Sequence, residues 1–118
     1  GGQMFVSHER DIEQIKIQSP AASGVIKQSL VGPDQGWEGW VMRLFTLGKD
    51  GFTPRHSHAW PHINYIVSGQ GVLFLEGQEY PVEKGSTAYV PGNALHQFKN
   101  RGEEDFVFIC IVPEEGDK

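Results

Sequence analysis

Histidine is concentrated in one short segment of the chain. Three of the five histidines, His56, His58 and His62, lie in the stretch RHSHAWPHINYIV, and His96 follows a PGNA turn further along. Residues two apart in a strand project to one face, about 7 Å apart along the chain, so His56 and His58 are predicted to share a face. Neutral imidazole is a common ligand of first-row transition metals. The pattern therefore predicts a site for a divalent transition metal.

His62 has two interpretations. A bend at Pro61 would turn it toward the same centre as a fourth ligand; otherwise it belongs to the pocket wall. Four neutral ligands leave a divalent ion its full charge and, in octahedral geometry, two positions for a substrate. Zinc differs, because four histidines complete its tetrahedron. The affinity order of these metals does not name the physiological ion.

The elements that must position the histidines are short strands. Glycine makes up 15 of 118 residues, above its average share of about 7%, and it falls in turns. From Trp37 onward, about eight apolar stretches, including TPRHSH and LHQFKN, alternate with turn signals such as GKDG and SGQG. This alternation predicts an all-β antiparallel sandwich or barrel.

Two parts of the chain differ in character. Residues 1–36 are polar and weakly periodic, and we predict an N-terminal arm there, with the barrel over 37–118. Two predicted strands, VLFL and FVFICIV, are apolar on both faces. A strand with one face exposed to solvent should instead alternate apolar and polar residues. The arm or a second subunit is expected to cover them, and a homodimer is the preferred explanation.

Composition excludes several classes of partner. The net charge is −5 and no basic cluster is present, which argues against nucleic acid. The longest apolar run, at 106–112, is too short to span a membrane, and the first residues do not read as a signal peptide. A single cysteine cannot form an internal disulfide, so a cytoplasmic location is expected. No glycine-rich loop precedes a helix, and no organic cofactor is predicted.

Two longer motifs resemble those of the cupin superfamily. The first is GFTPRHSHAWPHINYIVSG, residues 51–69, and the second is GSTAYVPGNALHQFKN, residues 85–100. His62 stands where the family usually has glutamate, and Asn93 stands where it has a second glycine; asparagine tolerates the left-handed turn conformation. The segments VMRLFT, RHSHAW and FICIVPEEG resemble the small single-domain (cupin 2 type) bacterial and archaeal cupins with four histidines, among which manganese binders are known.

The resemblance implies a cupin double-stranded β-helix, or jelly-roll barrel, with a metal in its mouth. His56, His58 and His96 match the histidine ligands of the family and His62 its carboxylate ligand. Manganese and iron are the favoured metals, and nickel, copper and zinc also fit.

Strand parity predicts the rest of the pocket. Phe98 shares the face of His96. On the last strand, parity allows two inward sets: Phe106, Phe108, Cys110 and Val112, or Val107, Ile109 and Ile111. We expect the first set, which the resemblance to small four-histidine cupins favours. The pocket candidates are Phe98, Phe108, Cys110, Asn64 and Trp60, each with plain packing as its alternative. Arg43 is expected to form a surface salt bridge rather than to anchor an acidic substrate.

Three functions follow. The first is a metal-dependent oxidoreductase, of the dioxygenase or peroxide-using kind, acting on a small organic substrate. The second is a metal-dependent isomerase, lyase or decarboxylase, for which the sequence offers no clear general base. The third is a noncatalytic module that binds a metal or a small molecule.

Overall fold

The computed structural model describes residues 4–117, and the predicted all-β class is confirmed there. The strands are β1 (Ile15–Lys16), β2 (Ser23–Val31), β3 (Trp40–Phe52), β4 (His62–Ser68), β5 (Gln70–Leu75), β6 (Gln78–Glu83), β7 (Thr87–Val90), β8 (His96–Asn100) and β9 (Phe106–Pro113). Short 3₁₀ turns lie at Glu9–Asp11, Pro33–Gln35 and Glu114–Gly116. Over the described residues, no helix has the length and apolar character needed to cross a membrane.

The strands form one curled antiparallel sheet. Its order is β6-β5-β8-β3-β9-β4-β7, with β2 added to β3 and β1 added to β2. Because β9 lies between β3 and β4, inward-facing residues of these three strands stand side by side in rows. One row joins Arg43, Cys110 and Asn64, and the next joins Phe45, Phe108 and Ile66.

Every second residue of β9 points into the core. Its residues alternate between buried and half-buried along the whole strand, and the predicted inward set is confirmed, with Phe106, Phe108, Cys110 and Val112 at most 3% exposed. Phe108 stacks on Phe98, with ring centroids 4.3 Å apart, and on Phe45 at 5.4 Å. The aromatic side chains therefore fill the middle of the barrel.

The sequence prediction was wrong about the GKDG turn. These residues lie inside β3, where Asp50 takes a positive φ of 64°. The partner strand β2 pairs on both sides of this point, from Ser23 opposite Phe52 to Val25 opposite Leu47, with a register shift between them. The turn residues therefore form an irregularity within a long strand rather than a hairpin.

The segment predicted as an arm contacts the barrel along β3. Strand β2 pairs with β3 from Ser23 to Val31, and β1 pairs with β2. The Gln28 side chain donates hydrogen bonds to the carbonyl oxygens of Glu9 and Ile12, at 2.7 and 2.9 Å, which fastens the preceding turn. Residues 1–3 lie outside the described part, and the division between an arm at 1–36 and a barrel at 37–118 stays a prediction.

Candidate metal centre

The four histidines of the motifs meet at one end of the barrel. His62 and His96 are the first residues of β4 and β8, whereas His56 and His58 lie in the segment between β3 and β4. The predicted strand TPRHSH is absent, because this segment pairs with the sheet only at a single bridge. There the backbones of His56 and His96 exchange two hydrogen bonds, of 3.1 and 3.0 Å.

The PGNA turn fixes the other side of this segment. Asn93 has a φ of 69°, which confirms the left-handed conformation predicted for it. Its backbone N–H donates to the carbonyl oxygen of His58 over 2.6 Å. The loop that carries two histidines is therefore held by the turn that precedes the fourth.

The imidazole rings face one another. Five of their pairs have ring centroids 4.8 to 5.4 Å apart. One potential ligand atom from each of His56, His58 and His96 lies within 4.8 Å of the others, so these three can hold a metal ion. His62 joins them through His96, because the Nε2 atoms of these two residues are 3.2 Å apart.

Hydrogen bonds fix the tautomer of three of the rings. The Nδ1 atom of His58 lies 2.9 Å from the carbonyl oxygen of Trp60, and that of His96 lies 2.9 Å from the carbonyl oxygen of Ala94. The Nδ1 atom of His62 lies 2.6 Å from Oδ1 of Asn64. Since these oxygens can only accept, each Nδ1 carries the proton and each Nε2 keeps a lone pair free for a metal.

Asn64 orients His62. Its side-chain nitrogen donates to the carbonyl oxygen of Ile109 at 3.3 Å, which turns its oxygen toward the imidazole. Asn64 is 1% exposed, and its Oδ1 accepts a hydrogen bond from the Nδ1 N–H of His62.

The donor set fits a cation. Two unprotonated Nε2 atoms at 3.2 Å, on His62 and His96, have no proton between them and would repel one another. Two ligands at right angles on one ion, with bonds of about 2.1 Å, stand roughly 3 Å apart. The observed separation is therefore that of neighbouring ligands, and a divalent metal would remove the repulsion.

Burial favours the neutral form of three of the histidines, His56, His62 and His96. It lowers the pKa of His62 to about 3, mainly by desolvation, with further lowering from the neighbouring His96, His58 and Arg43 and partial opposition from the hydrogen bond to Asn64. Desolvation also lowers the pKa of His56 and of His96. Neutral imidazole is the form that binds metals.

A cavity of about 230 Å³ opens beside the histidines. All five predicted pocket candidates line it: Trp60, Asn64, Phe98, Phe108 and Cys110. Trp60 stacks on His58, with ring centroids 4.7 Å apart and an interplanar angle of 10°. A side chain at Gly116 would collide with the indole of Trp60, so the C-terminal turn closes tightly on this side of the cavity.

Arg43 is the residue that the sequence analysis misplaced. Its side chain is 13% exposed and lines the same cavity, although it was expected at the surface. Its Nη2 donates to Sγ of Cys110 at 3.1 Å, and its Nη1 lies 3.5 Å from Oδ1 of Asp117. No local sequence signal could have placed it there, because its position depends on the pairing of Arg43 with the distant Cys110 on β9.

The fifth histidine plays no part in the centre. His8 is exposed, and its Nδ1 accepts a hydrogen bond from the backbone N–H of Arg10, which caps the first 3₁₀ turn. It is a suitable control for the others.

Comparison with known proteins gives consistent matches. The sequence profile described as "Cupin domain" matches residues 43–112. The polyketide cyclase RemF from Streptomyces resistomycificus superposes with a TM-score of 0.87 and 25% identity, covering 94% of this chain and 80% of that one. Together these matches confirm the predicted jelly-roll fold.

Two curated proteins are similar in sequence. Auxin-binding protein T85 from Nicotiana tabacum is 26% identical over 114 residues, which is 87% of this chain and 61% of that protein. Glucose-6-phosphate isomerase from Thermococcus onnurineus is 35% identical over 78 residues, which is 58% of this chain and 41% of that protein. This chain thus spans less than two thirds of the length of either relative.

Proposed function

This chain belongs to the cupin domain family, and from that premise we propose that it is a metal-dependent enzyme acting on a small organic substrate. The observation that carries the proposal is the convergence of four imidazoles at the mouth of a cavity lined by aromatic side chains. The residues that would hold the metal are His56, His58, His62 and His96, and manganese or iron is the favoured ion. Such an ion supplies a positive charge that polarises oxygen atoms and, for these two elements, a redox couple.

Oxidation of the substrate, with dioxygen or peroxide as oxidant, is the reaction that the cavity supports best. Its walls include four aromatic side chains, those of Phe45, Trp60, Phe98 and Phe108, and among the described residues that line it there is no carboxylate. Isomerisation and elimination need a group that moves a proton to or from carbon, and three of the four lining histidines, His58, His62 and His96, have their Nδ1 protons committed to fixed acceptors. The residues here therefore bind and orient a substrate, and exclude water from it, rather than exchange its protons.

A second candidate is chemistry without electron transfer, in which the ion acts only as a Lewis acid. The names of two similar proteins, a polyketide cyclase and a glucose-6-phosphate isomerase, favour it. Four neutral ligands also favour it, because they leave the full charge of the ion available.

Exchange of the metal separates these candidates. We would strip the protein with a chelator, reload it with manganese, iron or zinc, and follow the consumption of dioxygen or peroxide with a panel of small aromatic compounds. We expect turnover with manganese or iron and none with zinc, which has no redox couple. Equal turnover with zinc and no oxidant consumed would establish the second candidate instead. No turnover with any metal would leave the noncatalytic binding module.

His96→Ala and His8→Ala provide the matched pair of variants for this experiment. We expect the first to lose the metal and the activity together. The second should change neither, because His8 is exposed and caps a distant turn of the N-terminal segment.

We further propose a homodimer. The outer face of β4 and β7 exposes Ile63, Tyr65 and Tyr89, at 53, 47 and 61%, and register pairs Ile63 with Tyr89. A second copy of the chain, with or without the arm at residues 1–36, would cover this apolar face. Light scattering at micromolar concentration should give twice the chain mass of 13.2 kDa, and a monomer mass would remove the proposal.

A further inference from the structure

The wall of the cavity carries an arginine that the metal centre does not use. Arg43 on β3 stands in the same row as Cys110 and Asn64, and Asn64 in turn holds the Nδ1 proton of His62. Arg43 and the four histidines line one cavity of about 230 Å³. A molecule that fills this space contacts both the guanidinium group and the histidine centre.

The guanidinium group of Arg43 has few good acceptors. Of its five N–H donors, one meets the sulfur of Cys110 at 3.1 Å, and one meets the carboxylate of Asp117 at the long distance of 3.5 Å. Its Nε is buried and has no hydrogen-bond partner among the described residues. Buried arginines normally face carboxylates or phosphates with two parallel hydrogen bonds, and Arg43 lacks such a pair.

Among the described residues, 4–117, the charges around Arg43 do not balance. Lys27 also lines the cavity, and its Nζ lies 2.8 Å from the same Asp117 oxygen that Arg43 contacts. Two cations thus share one carboxylate, and a positive charge remains beside an apolar wall. Screening is weak in such a cavity, so the excess charge attracts an anion.

The size and the walls of the cavity limit what that anion can be. Phe45, Phe98 and Phe108 form a stack along one side, which suits a flat apolar body. A volume of about 230 Å³ equals that of on the order of eight waters in the liquid, enough for a single ring with one small substituent.

We propose, on the basis of the metal-dependent function proposed above, that Arg43 and Lys27 bind the carboxylate of a small aromatic acid. The ring packs against the phenylalanine stack, and the opposite end of the molecule faces the histidines. The carboxylate of Asp117 competes with the bound acid, because it contacts both Arg43 and Lys27 when the acid is absent. The structure thereby assigns the substrate class to anionic single-ring compounds.

Calorimetry with the manganese-loaded protein tests this proposal, using benzoate and its neutral isostere benzamide as probes. We expect benzoate to bind at least tenfold more tightly than benzamide. Arg43→Gln should remove this difference by weakening benzoate binding alone. Arg101→Gln is the matched control, since it removes the same charge from an exposed pair with Glu79 and should leave benzoate binding unchanged.

Asp117→Asn should change the affinity for benzoate in the opposite direction. This test remains valid even if the Arg43 variant does not fold. The substitution frees both cations, so benzoate should bind several-fold more tightly. Equal binding of benzoate and benzamide to the wild-type protein, or weaker benzoate binding by Asp117→Asn, would overturn the anion site. Tighter binding of phenyl phosphate than of benzoate would overturn the carboxylate assignment.

The metal content of each sample separates this proposal from the metal-dependent function. If the protein binds no metal, that function fails, but benzoate binding that depends on Arg43 would still support the anion site. If the metal binds and benzoate binding ignores Arg43, the anion site fails and the metal centre stands.

Discussion

The two ends of the barrel are built by the same strands and held together by different forces. At one end, His96 of β8 belongs to the histidine cluster, and Cys110 of β9 lines the cavity beside it. Further along the same strands, Asn100 and Phe106 are 7% and 0% exposed and do not line that cavity. Every second residue of these strands points inward at both ends of the barrel, so the sheet determines only the direction of a side chain. The residue type then decides whether that end serves stability or chemistry.

The closed end leaves little free space. A side chain at Gly71 would collide with the ring of Phe106 and the carbonyl oxygen of Lys99. The Nδ2 atom of Asn100 donates to the carbonyl oxygens of Leu47, Gly48 and Glu104 at 2.9 to 3.0 Å. Packing and saturated hydrogen bonds hold this end, whereas the open end keeps free lone pairs and a cavity. Substitutions at the two ends should therefore change different properties.

The largest expected effect is on stability, from the closed end. Phe106→Ala should lower the free energy of unfolding by about 3–5 kcal/mol, because it removes a fully buried ring and leaves a cavity. Urea denaturation measures this loss, with the half-exposed Phe5→Ala as the control that should change little. The folded variant should still bind metal with unchanged stoichiometry. A loss below about 1 kcal/mol, the range of ordinary surface substitutions, would contradict the assignment of stability to this end.

The next effect concerns metal affinity, at the open end. His62→Ala should weaken metal binding by about a hundredfold, since a ligand is lost at the point where two Nε2 atoms now lie 3.2 Å apart. His62→Glu should restore binding of manganese or iron, because the carboxylate supplies the ligand type that the family usually has here. Calorimetry and X-ray absorption measure affinity and coordination number, and His8→Ala should alter neither.

His62 also decides between the two interpretations that the sequence left open. If His62→Ala retains the wild-type affinity and coordination number, His62 belongs to the pocket wall, and the metal centre reduces to His56, His58 and His96. In that case the hydrogen bond between His62 and Asn64 only shapes the cavity.

Parity and motif spacing predicted the features that depend on local sequence. Parity along FVFICIV left two possible inward faces of β9, and the resemblance to small cupins favoured the one that the structure shows. The chemistry of asparagine was enough to predict the left-handed conformation at Asn93. Both depend on residues adjacent in the chain. The histidines were identified by type and spacing, and the sheet brings them together.

Features that depend on distant partners escaped prediction. TPRHSH was predicted as a strand, but only His56 forms a β-bridge, because β3 ends at Phe52 and the chain must cross the mouth of the barrel. Arg43 was predicted to lie at the surface. Its true surroundings include Asp117, which also contacts Lys27, and these two residues are far apart in the sequence. No local pattern in the sequence contains either fact.

A smaller effect should come from Asn64, which positions a ligand rather than contacting the metal. Asn64→Ala should weaken metal binding roughly tenfold, because His62 would lose the acceptor that fixes its tautomer and ring orientation. Asn64→Asp should rescue the affinity, since a carboxylate oxygen accepts the same hydrogen bond. A merely structural role would show no rescue, and an unchanged affinity in the alanine variant would show that the hydrogen bond does not orient the ligand.

The smallest effect distinguishes the two ends by pH, in the metal-free protein. Burial lowers the pKa of His62 to about 3 in the folded chain, while the unfolded chain has its ordinary value near 6.5. Between these values only the unfolded chain takes up the proton, so stability is complete above about pH 6.5 and falls as the solution is acidified. His62 alone should cost at most about 1.4 kcal/mol at pH 5.5, one unit below the unfolded pKa. Urea denaturation at pH 7.5 and 5.5 measures the loss: His62→Gln should reduce it, Phe106→Ala should not, and a protein more stable at pH 5.5 would contradict the burial of neutral imidazole at the open end.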